Sequence, residues 1–437
     1  MRIAKLLFMI VVLCASASAQ ELTSFLAALE THPAAEANRA LLRAAEARLQ
    51  GTYSPVNFTG TGGAAFLFYE EIESPQPLDL PESTVQVDLG FSFRPFLFGD
   101  LADLADQQRI EIERSKLSYR ETLSALETQA VEAALNVDLA QEALVLAETG
   151  LRLAEEALVI TQTRFDKGAA TDADLRSARF SVQEAENQVR TARASLALAE
   201  QGYALLVGDT PLPDIPELEP IEGTTPDVIR ASYDVALAEV GVTNSERAFI
   251  PTAQASYTVP LEDDKSEVSV SFESRTLQPG LNYSYQNPKQ NFAGFSPPPG
   301  VDGNILNGTL SIGLSMTLSF ETFSQRDAAL AQLAAAEAGL QAARDQSDLT
   351  VLSLQTTLQT AERGVELATL NLADAQLSLE ETKLRQESGL ATELELKQAE
   401  FALKQAELNV TSANLELVRA VLESYRTYAI PLSEALP

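Results

Sequence analysis

The sequence predicts a mainly α protein with a β component, built from a tandem structural repeat. Three observations lead there. A turn motif at 167–175 returns at 388–396, 221 positions later. Apolar residues recur every seven positions over long stretches, the period of packed long helices. Short runs of strict apolar/polar alternation lie between those stretches, the period of strands with one wet and one dry face.

Composition narrows the chemistry. The 437 residues hold 31 Lys+Arg against 62 Asp+Glu, a net charge of −31, which opposes nucleic-acid backbones. His32 and Cys14 are the only histidine and cysteine, so no His/Cys metal cluster, Cys–His dyad or Ser–His–Asp triad can be assembled. At the amino terminus Arg2 and Lys5 precede an apolar run from Leu6 to Leu13 and the small-residue stretch Ala15–Ala19. That pattern predicts a secretory signal over 1–19, cut after Ala19. Its loss removes Arg2, Lys5 and Cys14 and moves the net charge from −31 to −33. No later segment offers the ~18 consecutive apolar residues of a transmembrane helix, so a membrane span has to be a β-barrel.

The first repeat covers 20–210, as helix, β-hairpin (52–97), long helix (99–166) and return helix (171–208). A proline-rich connector over 211–224, beginning Pro211-Leu212-Pro213, reads as extended chain. The second repeat covers 225–437, as helix, β region (251–320), long helix (322–388) and return helix (392–429). On the first long helix Val137, Leu144, Leu151, Leu158 and Phe165 form one seam, with Ala140, Ala147 and Ala154 three positions on. Val365, Leu372 and Leu379 repeat it with Ala361, Ala368 and Ala375. Alternating large and small residues bring helices close. A further series, Leu139, Leu146, Leu153 and Ile160, gives the first helix a second seam, so it has neighbours on both sides, as in a ring. At 1.5 Å per residue each long helix reaches ~100 Å, and a return helix (~57 Å) stacked on a short one matches it.

The β runs alternate cleanly. Val85, Val87, Leu89, Phe91 and Phe93 interleave with Gln86, Asp88, Gly90 and Ser92, and Leu310, Ile312 and Leu314 with Ser311 and Gly313. Shorter runs fall at Ala255/Tyr257/Val259, Val268/Val270/Phe272 and Leu281/Tyr283/Tyr285. An apolar face opposite a Ser/Thr face suits lipid outside and water inside. Helices enter and leave each β stretch on one side, so strand numbers are even: two in the first, two or four in the second. About four per chain cannot close a barrel whose practical minimum is ~8, so closure needs several copies; three give twelve strands.

A tandem repeat of helix, β-hairpin, long helix, Gly turn and return helix behind a signal peptide resembles the outer membrane efflux protein (TolC) family. The nearest local matches are 164–206 and 385–428, around Lys167-Gly168-Ala169 and Ser388-Gly389-Leu390. The resemblance implies a homotrimer: an outer-membrane β-barrel, about four strands per chain, continued by a long periplasmic α-helical barrel. It implies an exit duct for a tripartite efflux pump or type I secretion system, passive, without cofactor or catalysis. Partners would be a periplasmic adaptor (membrane fusion) protein meeting the turns Lys167, Gly168, Ala169, Ser388, Gly389 and Leu390, and an inner-membrane transporter. Asp174 and Glu395, six residues past each turn glycine, correspond to carboxylates that face the lumen near the periplasmic mouth. Where some members lock that mouth with Arg and Tyr, this chain has Ala391 and Gln386.

For each site residue a plainer role stands beside this one. The glycines supply the positive φ of a tight turn, and Asp172, Asp174, Glu393 and Glu395 suit a helix N-terminus. Two alternatives of other classes are a periplasmic adaptor, which predicts a single hairpin, and a structural coiled-coil envelope protein, which predicts no lipid-type strands. Glu262-Asp263-Asp264 reads as a solvated hairpin tip and 296–300 as an exposed proline loop.

Overall fold

The structure, a computed structural model, describes residues 22, 25–66, 83–94, 97–208, 210–213, 215–216, 218–261, 265–287, 308–316 and 319–435. The signal segment 1–19, the acidic tip 262–264 and the proline loop 296–300 lie outside these residues. After helical residues 25–29 the elements are α1 (Pro33–Thr52), β1 (Val56–Phe66), β2 (Ser83–Phe93), α2 (Asp100–Asp166) and α3 (Asp172–Val207). The second half holds α4 (Pro226–Arg247), β3 (Thr252–Pro260), β4 (Ser266–Glu273), β5 (Gln278–Asn287) and β6 (Thr309–Ser315). It ends with α5 (Phe320–Glu387), α6 (Glu393–Thr427) and the short α7 (Leu432–Ala435). The long helices α2 and α5 hold 67 and 68 residues, ~100 Å each. None of the described helices is long and apolar enough to cross a membrane.

The chain forms two compact units, one of 1–41, 116–229 and 342–437, the other of 42–115 and 230–341. The first has its core where Leu22, Phe25, Leu26 and Leu29 meet Ala130, Val131, Ala134 and Val137 of α2, Tyr203 of α3, Val421, Leu422 and Tyr425 of α6, and Leu432. Leu212, Ile215, Leu218 and Ile221 of the connector pack against this cluster. Their spacing of three suits an extended chain with three residues per turn, which presents every third side chain to one side. Hydrogen bonds fasten the connector. Tyr203 Oη donates to the Pro211 carbonyl (3.0 Å), Tyr425 Oη to that of Glu219 (3.1 Å), and Ile221 N to Ser424 Oγ (3.1 Å).

At the end of this core the carboxylate of Glu127, fully buried, accepts hydrogen bonds from Ser433 N (3.1 Å) and Ser433 Oγ (2.6 Å). Ser124 Oγ donates to the Tyr425 carbonyl at 3.0 Å, and Arg120 pairs with Glu434 at 2.6 Å. The residues after α6 are thereby held on α2.

The second unit contains one six-stranded antiparallel sheet, in the order β1-β2-β5-β4-β3-β6. Among the described residues the 251–320 region therefore carries four strands, the larger of the two expected numbers, and the sheet has six where about four per chain were expected. The extra pair exists because 274–277 close a tight turn. Leu277 takes the left-handed conformation (φ 51°) and donates to the Glu273 carbonyl at 2.9 Å. That turn is seated on the start of α2. Gly99 has φ +61°, and a Cβ there would lie 2.0 Å from the Arg275 carbonyl oxygen. Arg275 Nε lies 3.0 Å from Asp100 Oδ2, and Arg247 binds Asp103 at 2.6 Å and Asp100 at 3.1 Å.

The register lays the apolar residues in cross-strand rows. Phe58, Phe91, Leu281, Val270, Tyr257 and Leu310 follow one another across all six strands, and Gly60, Leu89, Tyr283, Val268 and Val259 form the next row. Side chains alternate between faces, so Thr59, Gly90, Asn282, Ser269 and Thr258 occupy the opposite one. The apolar face is uncovered, with Phe58 66%, Leu310 65%, Ile312 77% and Leu314 75% exposed. A soluble sandwich would bury it beneath a second sheet; the described residues contain only this one.

Two outcomes follow for stability. Gly99→Ala should lower the thermal unfolding midpoint, since left-handed backbone alone costs about 1–2 kcal/mol and the Cβ meets a carbonyl besides; tyrosine fluorescence would read the loss. For Glu127, desolvation raises the carboxyl above its ordinary value despite the Ser433 hydrogen bonds. The folded chain then keeps that proton to higher pH than the unfolded chain, so this group favours folding most below the ordinary glutamate range. Its contribution falls as pH rises through the raised value. Glu127→Gln should flatten that part of the stability profile in thermal unfolding between pH 4 and pH 7.

Candidate functional site

The turns joining α2 to α3 and α5 to α6 are built alike. At the first, Ala169 N donates to the Arg164 carbonyl (2.7 Å) and Gly168 N to that of Phe165 (2.8 Å). At the second, Leu390 N donates to Arg385 (2.7 Å) and Gly389 N to Gln386 (2.9 Å). This crossed pair of bonds is the Schellman ending of a helix, and it places the glycine in left-handed backbone. Gly168 and Gly389 have the same φ, +72°. The glycines are thus required by the fold, whatever else the turns do. Lys167, Gly168, Ala169, Ser388, Gly389 and Leu390 are all exposed, and the Leu390 side chain is 72% accessible, uncovered by any of the described residues.

The return helices begin with equal strictness. Thr171 Oγ1 accepts from Asp174 N (3.2 Å), while Asp174 Oδ2 accepts from Thr171 N (2.8 Å) and Thr171 Oγ1 (2.7 Å). Thr392 and Glu395 repeat this at 3.2, 2.6 and 2.9 Å. Each pair is a capping box, which satisfies orphan amides at the helix start. Asp174 and Glu395 therefore have a structural task inside their own turns. The Thr-x-x-Asp and Thr-x-x-Glu spacing carried that signal in the sequence. Backbone and hydroxyl hydrogen bonds from Thr171, with a smaller contribution from the Arg164 charge, outweigh desolvation and hold the Asp174 carboxyl below its ordinary value. Thr392 and Arg385 act likewise on Glu395. Both side chains stay exposed and carry a negative charge at neutral pH.

The two hairpins meet behind the turns. Lys397 of α6 reaches Glu156 of α2 at 2.7 Å and its own helix's Glu393 at 3.5 Å. Further along, the Phe401 ring lies against Gly150, where a Cβ would come within 3.2 Å of it. Ala143, Gly150 and Ala157 lie four positions after Leu139, Leu146 and Leu153 of the second seam on the first long helix, and at Gly150 the absent side chain admits the ring. No local pattern could have announced the Glu156–Lys397 pair, whose members are 241 positions apart. Among the described residues no group of acidic, histidine or cysteine side chains is arranged to hold a metal ion. The turns offer a chemically quiet, rigid, partly apolar tip that presents charge on either side.

Replacing Thr171 or Thr392 by Ala should cost about 1 kcal/mol of local stability per cap, read as faster amide exchange in the first turn of the affected return helix. Because both carboxyls are depressed, their caps should persist above the ordinary carboxylate range and loosen as pH falls through the lowered values.

Comparison with known proteins agrees with this architecture. The structure is similar to that of CusC (TM-score 0.65, 14% identity, 94% of this chain and 92% of that one). It is also similar to the CmeC outer membrane channel of Campylobacter jejuni (0.64, 14%, 94% and 85%) and to the outer membrane protein VceC of Vibrio cholerae (0.61, 15%, 92% and 96%). No curated protein sequence matches the chain. The profile of the outer membrane efflux protein family matches residues 76–209 and 262–425. That is well over half of the sequence, and the chain belongs to the outer membrane efflux protein family.

Proposed function

We propose that the chain is the passive exit duct of a tripartite efflux pump or type I secretion system, working as a homotrimer in the outer membrane. The observation that carries this reading is the uncovered amphipathic sheet in a member of this family. An apolar face exposed on one side and Ser, Thr, Asn and Gln on the other fit a wall between lipid and water. The signal over 1–19 delivers the chain across the inner membrane, and the long helices extend from the barrel through the periplasm.

In this reading the turns at Gly168 and Gly389 receive a periplasmic adaptor, which brings an inner-membrane transporter that supplies energy and chooses cargo. Their duplicated geometry gives each copy two equivalent docking tips, and the exposed Leu390 makes one of them more apolar. Asp174 and Glu395, fixed by their capping boxes and charged at neutral pH, ring the mouth and favour cations over anions. Two hairpins per chain and a lipid-type sheet weigh against a periplasmic adaptor and against a purely structural coiled coil.

The purified protein should require detergent, run as three copies and conduct in planar bilayers. A monomer that is soluble without detergent and does not conduct would refute the duct. Asp174→Asn with Glu395→Gln should shift the reversal potential toward lower cation selectivity; an unmoved potential would remove the ring. Photocrosslinkers at Ala169 and Leu390 should capture a periplasmic partner.

A further inference from the structure

We propose that this protein forms an eighteen-stranded outer barrel, six strands from each of three copies, with a backbone diameter about half again that of a twelve-stranded one. The inference rests on the trimeric-duct reading above and goes beyond it by fixing the size of the outer opening. It begins from the position of the β4–β5 hairpin. In the order β1-β2-β5-β4-β3-β6 that hairpin lies between β2 and β3. Both β5 and β3 are antiparallel to β4, so they run in the same direction. Without the hairpin, β3 would meet β2 with correct polarity and leave a four-stranded sheet. The hairpin thus adds two strands to the circumference without disturbing the connections to the helices.

Nothing about the added strands is makeshift. Ser274 N donates to the Ala253 carbonyl (2.8 Å), Ala253 N donates to Ser274 Oγ (2.9 Å), and Arg275 is held by Asp100 beside Gly99. Val268, Val270, Leu281 and Tyr283 continue the apolar face unbroken, and Ser269, Ser271, Gly280 and Asn282 continue the polar one. In its middle rows the lumen side of the hairpin is therefore made of short side chains, with the longer Glu267, Glu273, Gln278 and Gln286 toward its two ends.

The two outer strands, β1 and β6, have no partner on their far sides within the sheet. In hydrocarbon such edges cannot stay unpaired. Among the described residues no further strand is left to pair with them, and another copy supplies an antiparallel strand of matching alternation. An even-stranded antiparallel sheet gives its two edges opposite directions, so β6 of one copy meets β1 of the next antiparallel, as the ladder requires. Six strands are below the ~8 needed for closure, and three copies supply eighteen. With strands ~4.8 Å apart and tilted ~40°, the backbone diameter is about 36 Å, against about 24 Å for twelve. After side chains are subtracted, bulky solutes leaving the helical tunnel pass the outer membrane without a second constriction from the barrel wall.

The test uses the intact protein in planar bilayers, with polyethylene glycols of graded size added on the barrel side only. The polymer that just fails to reduce conductance should be about 10 Å wider for the intact chain than for a variant lacking 262–287. Equal cut-offs would overturn the proposal. Should that variant not assemble, Thr59→Cys on β1 is combined in turn with Thr309→Cys, Ser311→Cys, Gly313→Cys or Ser315→Cys on β6. One pair should give a covalent trimer on oxidation; no interchain disulfide from any pair, or a native mass of two copies, would overturn it. A protein that conducts as a trimer but has a twelve-strand cut-off loses only the wide barrel. One that neither trimerises nor conducts loses the duct itself.

Discussion

A sheet with one apolar face open to its surroundings has two obligations: the face must meet something apolar, and the edge amides and carbonyls must meet partners. In this chain both fall on the same six strands. Lipid can meet the first but never the second, because hydrocarbon offers no hydrogen bonds. The rest of the molecule follows from that asymmetry. In the proposed duct closure comes from further copies of the same chain, which puts helices from several copies side by side. The two-seamed packing of α2, with small residues such as Gly150 admitting Phe401, is what side-by-side helices need.

The opposite end of the helices is governed by a different economy. A helix reversal exposed to water has no burial to stabilise it, so its order comes from local hydrogen bonds alone. Here the Schellman ending and the capping box share one short turn and occur twice with the same φ at glycine. Rigidity without burial leaves the tip surface free for a partner at little entropic cost of docking. The carboxylates that resemblance would assign to the lumen are the same groups that hold the turn, so the proposed electrostatic role would fall on atoms already engaged in the caps.

Much of the fold was legible because its periods are long and regular. The seven-residue recurrence of Val137, Leu144 and Leu151 and the two-residue recurrence of Val85, Val87 and Leu89 each identify an element from its own residues. What stayed hidden needed either a rarer period or a distant partner. The three-residue recurrence of Leu212, Ile215, Leu218 and Ile221 belongs to neither helix nor strand, so the connector read as a spacer and not as part of the core. Four alternating runs were visible in 251–320, but whether they pair as four strands depends on 274–277 reversing the chain, and Leu277 is an unusual residue for left-handed backbone. At the turns the positions were legible from the repeat, while the Glu156–Lys397 contact between the hairpins was not.

The core of the first unit has one more consequence. Leu22, Phe25 and Leu26 pack with Val421, Leu422 and Leu432, residues from opposite extremes of the sequence. Contacts of such sequence separation form late, since the chain between them must be closed into a loop first. Neither segment can complete the core alone: Leu22, Phe25 and Leu26 find Val421, Leu422 and Leu432 only when both are present. Loss of either one opens the same cluster, so distant positions along the chain answer for a single packing unit.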